Sequence, residues 1–236
     1  TIEELREQGY KGFYVAIGCQ RGRKPGITGE NAKGTYAAVD FLREAGAKES
    51  FAFEGDVVVV GGGNVAIDAA RISSRCVDAK ISMFCLEQRE NMPASKEEIA
   101  EALEEGIELN CGWGPKEVLE EDGKVSGVVF KKCIRVLDEQ GRFSPEYDEE
   151  QTVTIPCKHV SFVVQAIEWG NMLDNLDLKR RSNGGALADK LTYQTSEPDI
   201  FVGGDVYTGP RFAIDAIAAG RRVRFPFIVM YMKTVP

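Results

Sequence analysis

Residues able to hold a phosphorylated ligand stand out first. Gly61-Gly62-Gly63-Asn64-Val65-Ala66 is a G-x-G-x-x-A run. In such a run Gly61 permits a tight turn, Gly63 lets the backbone approach a pyrophosphate, and small Ala66 lets a following helix pack close to its strand. The backbone N–H groups opening that helix, and the positive end of its dipole, then face the phosphates. Further along, Phe84-Cys85-Leu86 runs into Glu87, at the point that lies beside an adenosine ribose in this geometry. A carboxylate there accepts hydrogen bonds from both ribose hydroxyls and repels a 2′-phosphate, which favours NAD(H) over NADP(H). Arg89, two residues on, is a cation that could partly offset that preference. Both residues also read as exposed loop positions.

Other reactive types lack partners at a useful spacing. His159, the single histidine, opens an apolar run, where a structural role competes with that of a base. Cys19, Cys76, Cys85, Cys111, Cys133 and Cys157 have no C-x-x-C spacing, which argues against a metal cluster or redox pair of that kind. Catalytic acid–base residues and metal ligands are therefore not assigned. Gly203-Gly204-Asp205, a glycine pair and a carboxylate after an apolar run, is compatible with an ordinary turn.

A glycine run carries this meaning only between a strand and a helix. Val57 to Val60 is a β-branched run suited to a strand buried on both faces, and Val65, Ala66, Ala69 and Ala70 have helical spacing. Lys80 to Leu86 and Ile107 to Asn110 read as the next two strands. Between them, Ser95 to Glu105 reads as a helix with Ser95 and Glu98 at capping-box spacing. Together these make a βαβαβ half. Glu117 to Leu119, Val125 to Lys132, Ile134 to Leu137 and Gln151 to Ile155 then read as an antiparallel meander joined by turn residues. Before the glycine run, Thr1 to Gln8 reads as a capped helix and Phe13 to Ile17 as a buried strand ending at Gly18. Thr35 to Ala45 reads as a helix stopped by Gly46. His159 to Ile167 and Asp199 to Asp205 complete the strands, and a last helix starts near Pro210 and runs to about Arg224, where Pro226 interferes.

The chain of 236 residues carries 29 Lys and Arg against 37 Asp and Glu, a net charge of −8. No basic tract interleaved with aromatics is present, so nucleic acid is not an expected partner. The apolar stretch from Phe225 to Met232 is too short for a bilayer, so no membrane association is expected. Unpaired cysteine spacing suits a cytoplasmic, reducing setting.

Four segments taken together resemble a known family. They are Phe13-Tyr14-Val15-Ala16-Ile17-Gly18, Gly61 through Asp68, Met92-Pro93-Ala94 with Glu104-Glu105-Gly106, and Phe201-Val202-Gly203-Gly204-Asp205. Their order resembles the pyridine nucleotide-dependent flavoproteins with two dinucleotide-binding domains, and among these the glutamate synthase small-subunit group. The resemblance implies an α/β fold in which a Rossmann-like three-layer nicotinamide domain with a β-meander, residues 36–166, is inserted between FAD-domain pieces, 1–35 and 167–236. It implies that Gly18, Gly204 and Asp205 belong to an FAD site, with Asp205 on the ribityl chain. The backbone around Arg211, Ala213 and Ile214 would approach the flavin from a helix N-terminus. It further implies hydride transfer from NAD(P)H to FAD and electron delivery to a partner subunit or iron–sulfur carrier. The cofactors carry that chemistry, so no acid–base dyad is needed. A nucleotide-binding module without turnover and a conventional dehydrogenase are the alternatives. The sequence departs from the family in lacking its first FAD fingerprint and its cysteine clusters, and in having Ala166-Ile167-Glu168 where Ala-x-Gly is usual. The expectation is a C-terminal portion of a longer flavoprotein, with an incomplete FAD site of its own.

Overall fold

The computed structural model describes residues 1–47, 54–173, 176–181 and 184–234. The chain divides into two compact units, Gly22–Val164 and a flanking unit of Thr1–Arg21 with Gln165–Pro236.

Within Gly22–Val164, five parallel strands run in the order Thr35–Ala37, His159–Phe162, Val57–Val60, Ile81–Cys85, Glu108–Cys111. Alternate residues of the central strands face opposite layers, as a pleated sheet requires. Val57, Val59, Ile81 and Met83 pack with Ala66, Ile67, Ala70, Ile99 and Ala102 from the helices Asn64–Cys76 and Lys96–Glu104. Val58, Phe84, Val160 and Phe162 pack with Val118, Val128 and Phe130 from a three-stranded antiparallel meander. Phe84 and Phe130 stack there with ring centroids 4.0 Å apart. Helices, parallel sheet and meander make the three expected layers. The chain leaves Val57–Val60 toward Ile81–Cys85 and returns on its other side with His159–Phe162. The carboxyl end of Val57–Val60 is thus a topological switch point, where open α/β sheets bind ligands.

The flanking unit is built on two parallel strands, Phe13–Val15 and Ile200–Val202. One face packs Phe13, Val15, Ile200 and Val202 against Ile2 and Val206. The other packs Phe201 against Tyr193, Ala219 and Val223. Thr1 caps the first helix, Ile2–Glu7, through a complete capping box with Glu4. Arg6 ties that helix to the distant end of the chain, donating Nε to Asp199 Oδ2 at 2.8 Å and Nη2 to Asp199 Oδ1 at 2.7 Å.

Four expectations need correction. Thr35 to Ala37 is an edge strand rather than the start of a helix: it pairs with Val160–Phe162, and the Thr35 hydroxyl donates to the carbonyls of Glu30 and Ala32 at 2.9 Å. The helix is Ala38–Ala47 and continues through Gly46. The meander has three long strands, Trp113–Glu121, Lys124–Leu137 and Phe143–Pro156, because register shifts at Lys131/Lys132 and Cys133/Arg135 absorb the irregularity instead of ending a strand. The last helix, Ala213–Thr234, passes through Pro226. An interior proline costs about 3 kcal/mol, and the contacts of Phe227 with Phe201 and of Met230 in the same cluster oppose that cost. The residues 22–35 also belong with Gly22–Val164: Ile27 and Ala32 pack in its meander-side core.

Candidate functional site

The valines of Val57–Val60 deliver Gly61 to the sheet's carboxyl edge, where its N–H donates to the Phe84 carbonyl at 2.8 Å. Gly61 has φ +154°, and a Cβ there would lie 2.8 Å from Val163 Cβ and 3.3 Å from Ala66 Cβ. Glycine is therefore required by the turn itself, and Ala66, fully buried, supplies the close helix–strand packing. At Gly63, the N-cap of the Asn64–Cys76 helix, a Cβ would meet nothing within 4 Å. Among the described residues, the N–H groups of Gly62, Gly63, Asn64 and Val65 have no backbone acceptor in a turn or loop. They form an open donor cradle at a helix N-terminus, the environment that suits a pyrophosphate. The residues present therefore fit a dinucleotide.

Two contacts hold this turn in place, and neither is visible as a pattern in the sequence. Ala94 N–H donates to the Gly62 carbonyl at 3.1 Å, and Ser95 N–H donates to Asn64 Oδ1 at 2.9 Å. The side chain of Asn64 thus latches the Met92-Pro93-Ala94 segment onto the glycine turn, while its backbone stays in the cradle. Val65 packs on the helix-side core.

Glu87 follows the strand Ile81–Cys85 by two residues. A Cβ on Gly62 would come within 2.7 Å of Glu87 Oε2, so the carboxylate sits against the glycine turn. Its backbone is pinned by Gly112 N–H, which donates to the Glu87 carbonyl at 2.9 Å. Glu87 also lines a 640 Å³ cavity with Leu86, Gln88, Ile134 and Arg135. Arg89 is not part of that cavity. It lies in a 3₁₀ turn, Arg89–Asn91, and lines a separate hollow with Glu90, Lys96 and Ile99. The cation facing the Glu87 cavity is Arg135, paired with Glu146 at 2.8 Å. Nothing local in the sequence marks Arg135, which lies on a strand whose path there depends on bulges.

His159 lies at the opposite edge of the sheet. It pairs in register with Val57, about 13 Å of strand from the glycine turn. Its Nε2 is 3.2 Å from the Glu54 carbonyl, and burial lowers its pKa. That position suits the structural reading.

In the flanking unit, a 240 Å³ cavity brings together Gly18, Gly204, Asp205, Arg211 and Ala213, with Tyr14 and Gly220 beside them. Gly204 has φ +68° and caps the short helix Asp205–Thr208. Asp205 Oδ1 accepts from Arg211 N–H at 3.2 Å, tying that turn to the entry of the Ala213–Thr234 helix. Tyr14 fills the space a Gly203 side chain would occupy. Ile214 lies one residue beyond Ala213, exposed and outside this lining.

Comparison with known proteins agrees with this geometry. The family model described as pyridine nucleotide-disulphide oxidoreductase matches residues 2–220. The chain is 31% identical over 231 residues to the NADP(+)-dependent formate dehydrogenase subunit beta of Moorella thermoacetica, covering 94% of this chain and 32% of that protein. It is 32% identical over 237 residues to the glutamate synthase [NADPH] small chain of Escherichia coli K12, covering 90% of this chain and 49% of that one. The chain thus spans about a third of the first relative's length and about half of the second's. Among solved structures, Mycobacterium tuberculosis FprA in complex with NADPH has a TM-score of 0.77 at 17% identity, covering 99% of this chain and 66% of that chain. Thioredoxin reductase of T. acidophilum has a TM-score of 0.70 at 20% identity, covering 94% and 66%. These two likenesses concern the fold. With the family match spanning almost the whole chain and the glycine turn, latch and carboxylate in place, the chain belongs to the pyridine nucleotide-disulphide oxidoreductase family.

Proposed function

We propose that this chain is the nicotinamide-side portion of a flavin-dependent oxidoreductase. Gly22–Val164 binds NAD(H) and the flanking unit supplies part of an FAD site. The observation that carries the reading is the donor cradle of Gly62, Gly63, Asn64 and Val65, open to solvent, with the Glu87 carboxylate against its edge. Gly61 to Ala66 would hold the pyrophosphate and Glu87 the two ribose hydroxyls. The adenine end would point toward the cavity beside Leu86 and Ile134. In the flanking unit, Asp205 and the backbone from Arg211 to Ile214 would hold the flavin side of FAD, with Gly18 and Gly204 giving close backbone approach. When bound, the nicotinamide supplies a hydride and the flavin accepts it. The chain's residues bind and orient, so no proton-transferring pair is called for.

Glu87 supports NADH over NADPH, since a carboxylate against the ribose repels a 2′-phosphate. Arg135 and the NADP-naming relatives favour the second reading, in which Arg135 leaves Glu146 to meet that phosphate. Two relatives are named as a subunit or chain of a larger enzyme, which supports onward delivery of electrons to a partner subunit or iron–sulfur carrier. The six cysteines are free, consistent with a cytoplasmic setting, and no helix among the described residues is long and apolar enough to cross a membrane. The test is the visible spectrum of the full-length protein with its FAD, taken without oxygen. Bleaching of the flavin band by NADH is expected. NADH binding that leaves the flavin oxidised would point instead to a binding module, and turnover of a small substrate without flavin to a conventional dehydrogenase.

A further inference from the structure

Cys85 ends the strand Ile81–Cys85, and Cys111 ends its parallel neighbour Glu108–Cys111. The two residues are register partners, so their side chains leave the sheet on the same face, and their Sγ atoms are 3.8 Å apart. Cys85 is 2% exposed and its thiol donates to the Glu87 carbonyl at 3.5 Å. Cys111 is more open, with Met92 Sδ 4.0 Å from its sulfur. The residue after Cys111, Gly112, donates its N–H to the same Glu87 carbonyl at 2.9 Å. A Cβ on Gly62 would fall 3.1 Å from Cys85 Cβ. The thiols therefore lie under the glycine turn, and each is joined to the backbone of Glu87 directly or through one residue.

We propose that Cys85 and Cys111 form a dithiol–disulfide pair, closed by small-molecule disulfides, whose oxidation weakens nucleotide binding at the Glu87 end of the site. The effect on binding rests on the nucleotide reading above; the bond itself does not. Cys111 is the more open of the two thiols and is the first nucleophile, while burial first, then the neighbouring Cys111 and Glu87, push the pKa of the Cys85 thiol well up. The Cys111 thiolate attacks one sulfur of the disulfide RSSR, forming a mixed disulfide and releasing one RSH after proton uptake. Cys85 then attacks Cys111 Sγ and breaks the mixed disulfide, its proton passing to the departing RS⁻, which leaves as the second RSH. Two protein thiols are oxidised by two electrons, and one RSSR is reduced to two RSH. Closure brings the sulfurs from 3.8 Å to a bond of about 2 Å. It also removes the Cys85 hydrogen bond to the Glu87 carbonyl, so the carboxylate's backbone anchor changes.

The test is to treat the protein with oxidised glutathione, alkylate the remaining thiols, map the cysteine peptides by mass, and titrate NADH onto the reduced and oxidised forms. A Cys85–Cys111 linked peptide is expected, with NADH affinity lowered about tenfold and restored by dithiothreitol. Cys111→Ser should bind NADH as the parent does and lose the response to oxidant. Alkylation of both residues after treatment, or a bond from either to Cys133, would overturn the pairing. A mapped bond with unchanged NADH affinity would overturn the coupling to the site. A mapped bond in a protein whose reduced form does not bind NADH would overturn the nucleotide reading and the coupling, and leave the pairing supported.

Discussion

At Gly61 backbone conformation and crowding act together, whereas at Gly63 the protein supplies neither constraint. Gly61 sits at φ +154° with Val163 and Ala66 against its missing Cβ; Gly63 is extended, at φ −95°, with open space in front of it. The two positions therefore separate folding from binding. Gly61→Ala should lower stability by about 1–3 kcal/mol through overpacking, read as a lower midpoint in urea. Gly63→Ala should leave that midpoint close to the parent and weaken NADH by about tenfold or more, because only a bound pyrophosphate would meet the new methyl. Glu87→Gln keeps the shape and loses the charge. NADH should weaken by about tenfold, in line with a hydrogen bond to a charged group, and the preference against NADPH should narrow. Isothermal titration with both nucleotides reads each of these. The glycine positions were legible because three glycines follow an unbroken valine run. Arg135 was not, since nothing near it in sequence shows that bulges bring it to the Glu87 cavity.

Strands and helices with a buried face announced themselves, and those held by polar contacts did not. Val57–Val60 and, apart from Ser82, Ile81–Cys85 are apolar because both faces are covered. Phe143–Pro156 is mostly exposed: Gln151 to Ile155 reads as a strand, but Glu146, Asp148, Glu149 and Glu150 leave no alternation to mark the part before it. The latch between Asn64 and Ser95 joins residues 31 apart, a separation no local rule reads. The helices Asn64–Cys76 and Lys96–Glu104 are likewise joined by charge. Arg71 reaches Glu101 at 2.6 Å, Glu105 at 2.8 Å and Glu98 at 3.4 Å, and Arg75 reaches Glu105 at 2.8 Å. The hydrogen bond from Arg71 holds the Glu105 carboxyl below its ordinary pKa of 4.5. A carboxylate shifted down in the folded state adds stability above its unfolded pKa and loses it as pH falls through the folded value. The thermal midpoint should therefore drop as the solution is acidified below 4.5. Arg71→Ala should flatten part of that drop. Among the described residues, the remainder includes Asp138, Asp148 and Asp189, whose pKa values are lowered mainly by backbone N–H donors, Glu149, lowered by Lys131, and Glu4, lowered by the N-terminal ammonium.

For the whole chain, the segment between the flanks has the form of an insertion. Its ends meet, with Arg23 N–H donating to the Val164 carbonyl at 2.8 Å, and it has cores on both faces of its own sheet. Expressed alone, residues 22–164 should unfold cooperatively and bind NADH with an affinity close to that of the full chain. The flanking unit instead joins both ends of the sequence through the pairing of Phe13–Val15 with Ile200–Val202 and through Arg6 on Asp199. Arg6→Ala should destabilise that unit, seen as faster amide exchange in both strands, without changing NADH affinity. On the proposed reading, a pyridine nucleotide lies on the glycine turn with its ribose at Glu87. Direct calorimetric titration of the chain with NADH and NADPH, each against the parent and Gly63→Ala, tests it most simply. One NADH per chain, tighter than NADPH and weakened by Gly63→Ala, is the result expected. Absence of binding by either nucleotide, or binding indifferent to Gly63→Ala, would contradict it.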